Sequence, residues 1–217
     1  MRHLYSGNFP AYSLSMADAY HHGNLRAAVL EKAAEVIERE GPYSFSLRSL
    51  AADLGVSHTA PRHHFGGREG VLNALAVEGF QELAETMRSA RASGGSLLDA
   101  GVAYVRFAVE HPGHFQVMFA PRLLDHDDAE LAAASGAAFA ELTGGVDTLS
   151  ERGVAVEDSA AAVVAGWAIV HGIATLALNG NLDTSGVRAL FADTDLLTIT
   201  RRSAGLLFHS PTDGESP

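Results

Sequence analysis

The stretch "FSLRSLAADLGVSHTAPRHHFGG", residues 45–67, constrains this chain more than any other. Leu47, Leu50, Ala51 and Leu54 fall at i, i+3, i+4 and i+7, the buried stripe of a short helix, with Ser46 placed to cap it. Gly55 follows, because a tight corner between helices needs a residue that takes positive φ without penalty. Val56 fills the corner. Ser57 is placed to cap a second short helix ending near Phe65, and Gly66-Gly67 stops it. From His58 to Phe65 that helix carries His58, Thr59, Arg62, His63 and His64 and no carboxylate. A core helix has no use for such a run; a helix facing a polar, anionic surface does.

Two short helices joined this way meet the needs of a helix-turn-helix, whose second helix enters the major groove and meets bases and phosphates near its N-terminus. Ser46 and Ser57 sit at helix N-termini, where backbone N–H groups and the dipole favour phosphate. His58, Thr59, Arg62 and His63 are expected to project outward, with Ala60, Phe65 and His64 turned toward the core. Pro61 belongs to the first turn, where a missing N–H costs least. The net charge of −11 argues against a polyanion until it is divided along the chain. Residues 1–70 hold seven basic and seven acidic groups plus six of the eleven histidines, so the whole excess lies beyond them. Such asymmetry suits a chain touching nucleic acid at one end.

The rest is helical in pattern, and no period-2 alternation of useful length appears. Asn24 is placed to cap a helix with Leu25, Val29, Ala33, Val36 and Ile37 on one face, stopped by Gly41-Pro42. A long helix is expected from Arg68 to Arg91, then a boundary at "ASGGS", residues 92–96. Beyond it come helices at 97–110, 112–119, 129–152 (kinked or split by Gly144-Gly145), 158–179 (apolar nearly all round and buried on every side) and 195–208. The expected organisation is a disordered extension at 1–19, a DNA-binding head at 20–68, a connecting helix at 69–91, a helical body at 97–208 and a disordered tail at 209–217. The absence of cysteine excludes disulfides, zinc–thiolate sites and a cysteine nucleophile, and suits a reducing cytoplasm. The stretch "AAAVVAGWAIVHGIATLALNG" has no Lys or Arg near its ends and contains His171, so it is expected to be a buried helix and not a membrane span.

"YHHGNLRAAVLEKAAEVIEREG", "FSLRSLAADLGVSHTAPRHHFGGREGVLNAL", "HPGHFQVMF" and "WAIVHGIATLAL" together resemble a TetR/AcrR-type transcriptional regulator, in the variety with a Trp…His-Gly signature. The resemblance covers about residues 20–208. It implies an all-α homodimer: a three-helix head on a larger helical bundle that holds a small-molecule pocket and dimerises through its last two long helices. It also implies a double-stranded operator with inverted-repeat symmetry and release by an effector; separately, no cofactor, metal or membrane partner is expected. By position, Ser46, Ser57, His58, Thr59, Arg62, His63 and Arg68 take DNA-contacting places; Tyr20-His21-His22-Gly23, before the first helix, reads either as an arm along the DNA backbone, through His21 and His22, or as a disordered or capping segment. Two residues depart from the family pattern: Arg62 stands where Tyr is common, and Arg68 where Lys is common.

Trp167 and His171 lie on the most apolar helix, and Tyr104, Phe107, Phe115, Met118, Phe119 and Phe139 supply aromatic and soft surface before it. These eight are the expected lining of a pocket for a largely apolar effector. His58, His63 and His64 match no metal-ligand spacing. Two rival readings remain. One is a DNA-binding regulator that answers only to protein partners. The other is an all-helical enzyme with His171 as general base, for which Arg106, Glu110 and His111 are the candidate second groups.

Overall fold

The computed structural model describes residues 25–92, 95–151, 158–191 and 194–207, and all regular structure among them is helical. The expected extension and tail, together with His21 and His22, lie outside the described residues. In α1 (Leu25–Glu40), Val29, Ala33, Val36 and Ile37 of the stripe read from the sequence are buried, joined by Leu30, while Leu25 is half-buried. The second helix, α2 (Leu47–Asp53), buries Leu50 and Ala51. Gly55 then takes φ +65° in a corner where an added Cβ would touch nothing within 4 Å. Only backbone freedom is asked of it. The next helix, α3, spans Ala60–Phe65, with Pro61 buried in its first turn.

The longest helix, α4 (Arg68–Ala92), buries residues from Val71 to Met87. At 25 residues it is about 37 Å long. It packs on α1 and α3 at one end, and on α5 (Leu97–Glu110), α6 (Pro112–Met118) and α7 (Ala129–Glu151) along the rest. The expected boundary at residues 92–96 therefore divides the sequence without dividing the core, which runs unbroken from Val29 to Ala174. A capping box starts α5: Asp99 N–H donates to Ser96 Oγ, and Ser96 N–H donates to Asp99 Oδ2 at 2.7 Å. Asn73, buried on α4, accepts from Asp125 N–H at 3.0 Å and donates to Asp128 Oδ2 at 3.3 Å, which ties the start of α7 to α4.

Three expectations need correction. First, α7 is unbroken through Gly144-Gly145. Leu97 packs where a Gly145 side chain would stand, and Arg91 donates to Gly144 O at 3.2 Å, so neighbours fill the glycine notch and the helix runs through it. Second, α8 (Ser159–Leu178), capped by Asp158, is not buried on every side: only Val163, Val170 and Ala174 are, while Val164 is 59% exposed. Packing against α5, α7 and the last helix covers one face and leaves an apolar face bare. By length and composition it is the one described helix able to cross a membrane. Third, a short helix α9 (Ser185–Phe191), missed in the pattern, precedes α10 (Leu196–Gly205), which ends before the expected Phe208.

Candidate nucleic-acid interface and body cavities

Ser46, Ser57, His58, Thr59, Arg62 and His63 are all exposed on the head. Ser46 has extended backbone and no capping hydrogen bond from its side chain, so its hydroxyl is uncommitted. Ser57 does not cap α3 as expected. Its carbonyl accepts from Ala60 N–H at 3.0 Å, the helix begins three residues later, and its Oγ lies 3.0 Å from Thr59 Oγ1. The delay places Pro61 where it needs no N–H partner. His64 is exposed, contrary to expectation, and meets His63 edge to face. Pro61 is buried and Ala60 and Phe65 are half-buried, with the Arg26 guanidinium 5.5 Å from the Phe65 ring centre.

Arg68 does not stand free for phosphate. Its Nε donates to Phe45 O at 2.9 Å, and its Nη2 to Pro42 O at 2.8 Å and Tyr43 O at 3.4 Å. Its position at the start of α4 aims the guanidinium back at the loop between α1 and α2, so it locks the head to α4. Arg48, which sequence reasoning passed over, is exposed on α2, and neither its side chain nor that of Arg62 has a partner among the described residues. The signal was available: an Arg two residues past the Ser at a helix's N-terminus sits in its first turn.

The eight expected pocket residues divide into three groups. Tyr104, Phe119, Phe139 and Trp167 line a cavity of about 400 Å³ between α4, α5, α7 and α8. Phe80 and Met87 of α4 complete it, and the sequence reading missed both because it assigned α4 only to linking. Phe107 and Met118 are core residues, 1% and 4% exposed, and do not face it. Phe115 and His171 border a separate cleft of about 320 Å³ nearer the head.

Trp167 Nε1–H donates to Tyr104 Oη at 3.3 Å, and Tyr104 Oη stands 2.9 Å from His171 Nδ1. Burial pushes the Tyr104 hydroxyl far above its ordinary range, so it keeps its proton and donates it to Nδ1. Desolvation likewise lowers His171 and keeps the imidazole neutral. Phe115 stacks on His171 at 5.3 Å between centroids, and Phe119 meets it edge-on at 4.6 Å. The groups a general base would need lie elsewhere. Arg106 and Glu110 are exposed, and His111 faces Glu82 at 3.2 Å.

An exposed helix-turn-helix on a helical body with an apolar cavity defines a DNA-binding regulator. Residues 97–196 match the family model described as the tetracyclin repressor-like C-terminal domain. An uncharacterized HTH-type transcriptional regulator of Mycobacterium tuberculosis, Rv0681, is 27% identical over 184 residues, covering 83% of this chain and 81% of its own. A Rhodococcus sp. RHA1 structure described as a protein with unknown function shares 29% identity at a TM-score of 0.71, over 87% of this chain and 96% of its own. The TetR family transcriptional regulator PfmR of Thermus thermophilus shares the fold, with a TM-score of 0.64 at 21% identity, over 83% of this chain and 96% of its own. Together these likenesses support a TetR-type, DNA-binding transcriptional regulator.

Proposed function

We propose that the chain is a cytoplasmic, homodimeric repressor of the Trp…His-Gly variety, released from an inverted-repeat operator by a small, largely apolar effector. The observation that carries this reading is the composition of the cavity wall. Phe80, Leu83 and Met87 belong to α4, the helix whose first turn is locked to the head by Arg68. A ligand between α4 and α7 therefore presses on the element that sets the distance between two heads, and its affinity is reciprocally coupled to that of DNA. The bare face of α8 at Val164 and Leu176, with Leu206 and Leu207 exposed after α10, supports dimerisation through these last helices. On the head, Ser46, Ser57, His58, Thr59, Arg62 and His63 are the proposed DNA contacts, joined by Arg48, with His21 and His22 as the preceding arm.

Selection of bound fragments from genomic DNA, with light scattering of the free protein, tests the reading. The expected result is a dimer and an inverted repeat with half-sites a turn or more apart. A monomer binding one asymmetric half-site at full affinity overturns it. Gly136 lines the cavity and has open space around its Cβ position. Gly136→Leu should therefore blunt effector release while sparing operator affinity. If no small molecule from the host's metabolites shifts operator binding, the partner-only reading replaces the sensor.

A further inference from the structure

The smaller cleft lies where head and body meet. The loop after α1 supplies Pro42 and Tyr43, α6 supplies Gln116, and α8 supplies His171, Thr175 and Asn179 at i, i+4 and i+8 on one face. Its apolar walls are Phe115, Phe119 and Leu178, and no charged side chain lines it. Trp167 already donates to the Tyr104 oxygen, so the tyrosine proton goes to Nδ1, which leaves the imidazole proton on Nε2. Among the described residues, neither that Nε2 nor the side chains of Gln116, Thr175 and Asn179 have a hydrogen-bonding partner. Nor is Nε2 sealed away from solvent. Four unpartnered polar groups thus converge between apolar walls, the arrangement of a preformed small-molecule site.

The chemistry narrows the occupant. An ion would lose its hydration here with no counter-charge to replace it. A neutral ring suits the gap beside Phe115 and Phe119, and the fixed Nε2–H calls for an acceptor oxygen. We propose that this cleft is a second effector site, for a neutral aromatic molecule carrying a carbonyl whose oxygen accepts from His171 Nε2–H. The amides of Gln116 and Asn179 and the Thr175 hydroxyl hold the remainder of its polar group. The occupant touches both the body and the loop whose Pro42 and Tyr43 carbonyls take the Arg68 guanidinium. Its affinity therefore depends on head position. This deepens the sensor reading and rests on it only for the consequence at DNA.

Histidine side-chain ¹⁵N–¹H correlation spectra of the full chain, titrated with benzamide, test binding directly. Toluene (no acceptor) and benzoate (charged) serve as controls, and His171→Phe assigns the signal. Benzamide should move the His171 Nε2 resonance saturably, and neither control should match it. Thr175→Val/Asn179→Leu leaves the Tyr104–His171 pair intact and should weaken benzamide about fivefold to tenfold, whereas Gly136→Leu should leave it unchanged. A motionless Nε2 resonance, equal binding of toluene, or loss of the shift in Gly136→Leu alone overturns the proposal. Benzamide binding that persists while no ligand releases DNA would sink the sensor reading and leave this site standing.

Discussion

Removing Arg68 distinguishes a lock within the head from a contact with DNA. Its guanidinium makes two well-formed hydrogen bonds, 2.9 Å to Phe45 O and 2.8 Å to Pro42 O, and a longer one to Tyr43 O. Bonds to a charged group contribute about 1.5–3 kcal/mol each, but these carbonyls lie near the surface and water recovers part of the loss. Arg68→Ala should therefore cost about 2–3 kcal/mol, a melting temperature lower by about 5–10 °C for a chain of this size. Arg68→Lys should restore little, because an ammonium cannot span several carbonyls as the planar fork does. Urea denaturation followed by circular dichroism should show a lower midpoint at unchanged slope. The dependence of non-specific DNA affinity on salt should stay as in wild type. Stability within about 0.5 kcal/mol of wild type, with a salt slope reduced by about 0.9, would refute the lock and return Arg68 to phosphate.

Arg48→Ala and Arg62→Ala should each flatten that salt slope by about 0.9 without changing the urea midpoint, measured by fluorescence anisotropy across a salt series. Gly113→Ala should cost about 2–3 kcal/mol, because its Cβ would lie 2.2 Å from the Ala34 carbonyl oxygen, where α6 meets α1 backbone to backbone. Gly145→Ala should stay within about 1 kcal/mol of wild type, since its Cβ would meet only the flexible tip of Leu97 at 2.4 Å; equal costs for the two in urea titrations would contradict this contrast. The Ser96 backbone N–H, then the Arg201 guanidinium and the Ser96 hydroxyl, hold the Asp99 carboxyl down to about 2. Its stabilisation is present above the ordinary carboxylate range and lost as pH falls through about 2. With the side chain 32% exposed, solvent screening reduces that contribution to about 1 kcal/mol. Wild type should exceed Asp99→Asn by that margin at pH 5 and lose most of it by pH 2.5; a gap independent of pH would contradict the linkage.

Local chemistry was enough to specify the elements. The stripes in α1 and α2, the corner at Gly55 and the outward polar run of α3 each depend on neighbours within a turn or two, so periodicity and turn rules reach them, whereas the side chains of Ser46 and Ser57, placed to cap, make no capping bond. The exposure of Ser46, Ser57, His58, Thr59, Arg62 and His63 followed from the same rules, which reach Arg48 in the first turn of α2 as well. What required tertiary structure were the roles that depend on partners far along the chain. Arg68 is a lock because Phe45 and Pro42, more than twenty residues away, offer carbonyls. Gly144-Gly145 does not break α7, because Leu97 and Arg91 occupy the notch. Aromatic content predicted a cavity but could not sort its lining, since the side of a helix a ring meets is set by packing angles between α4, α5, α7 and α8. The bare face of α8 has the same origin: a sequence apolar all round states that the helix must be covered, and only the packed chain shows which side its own residues leave open.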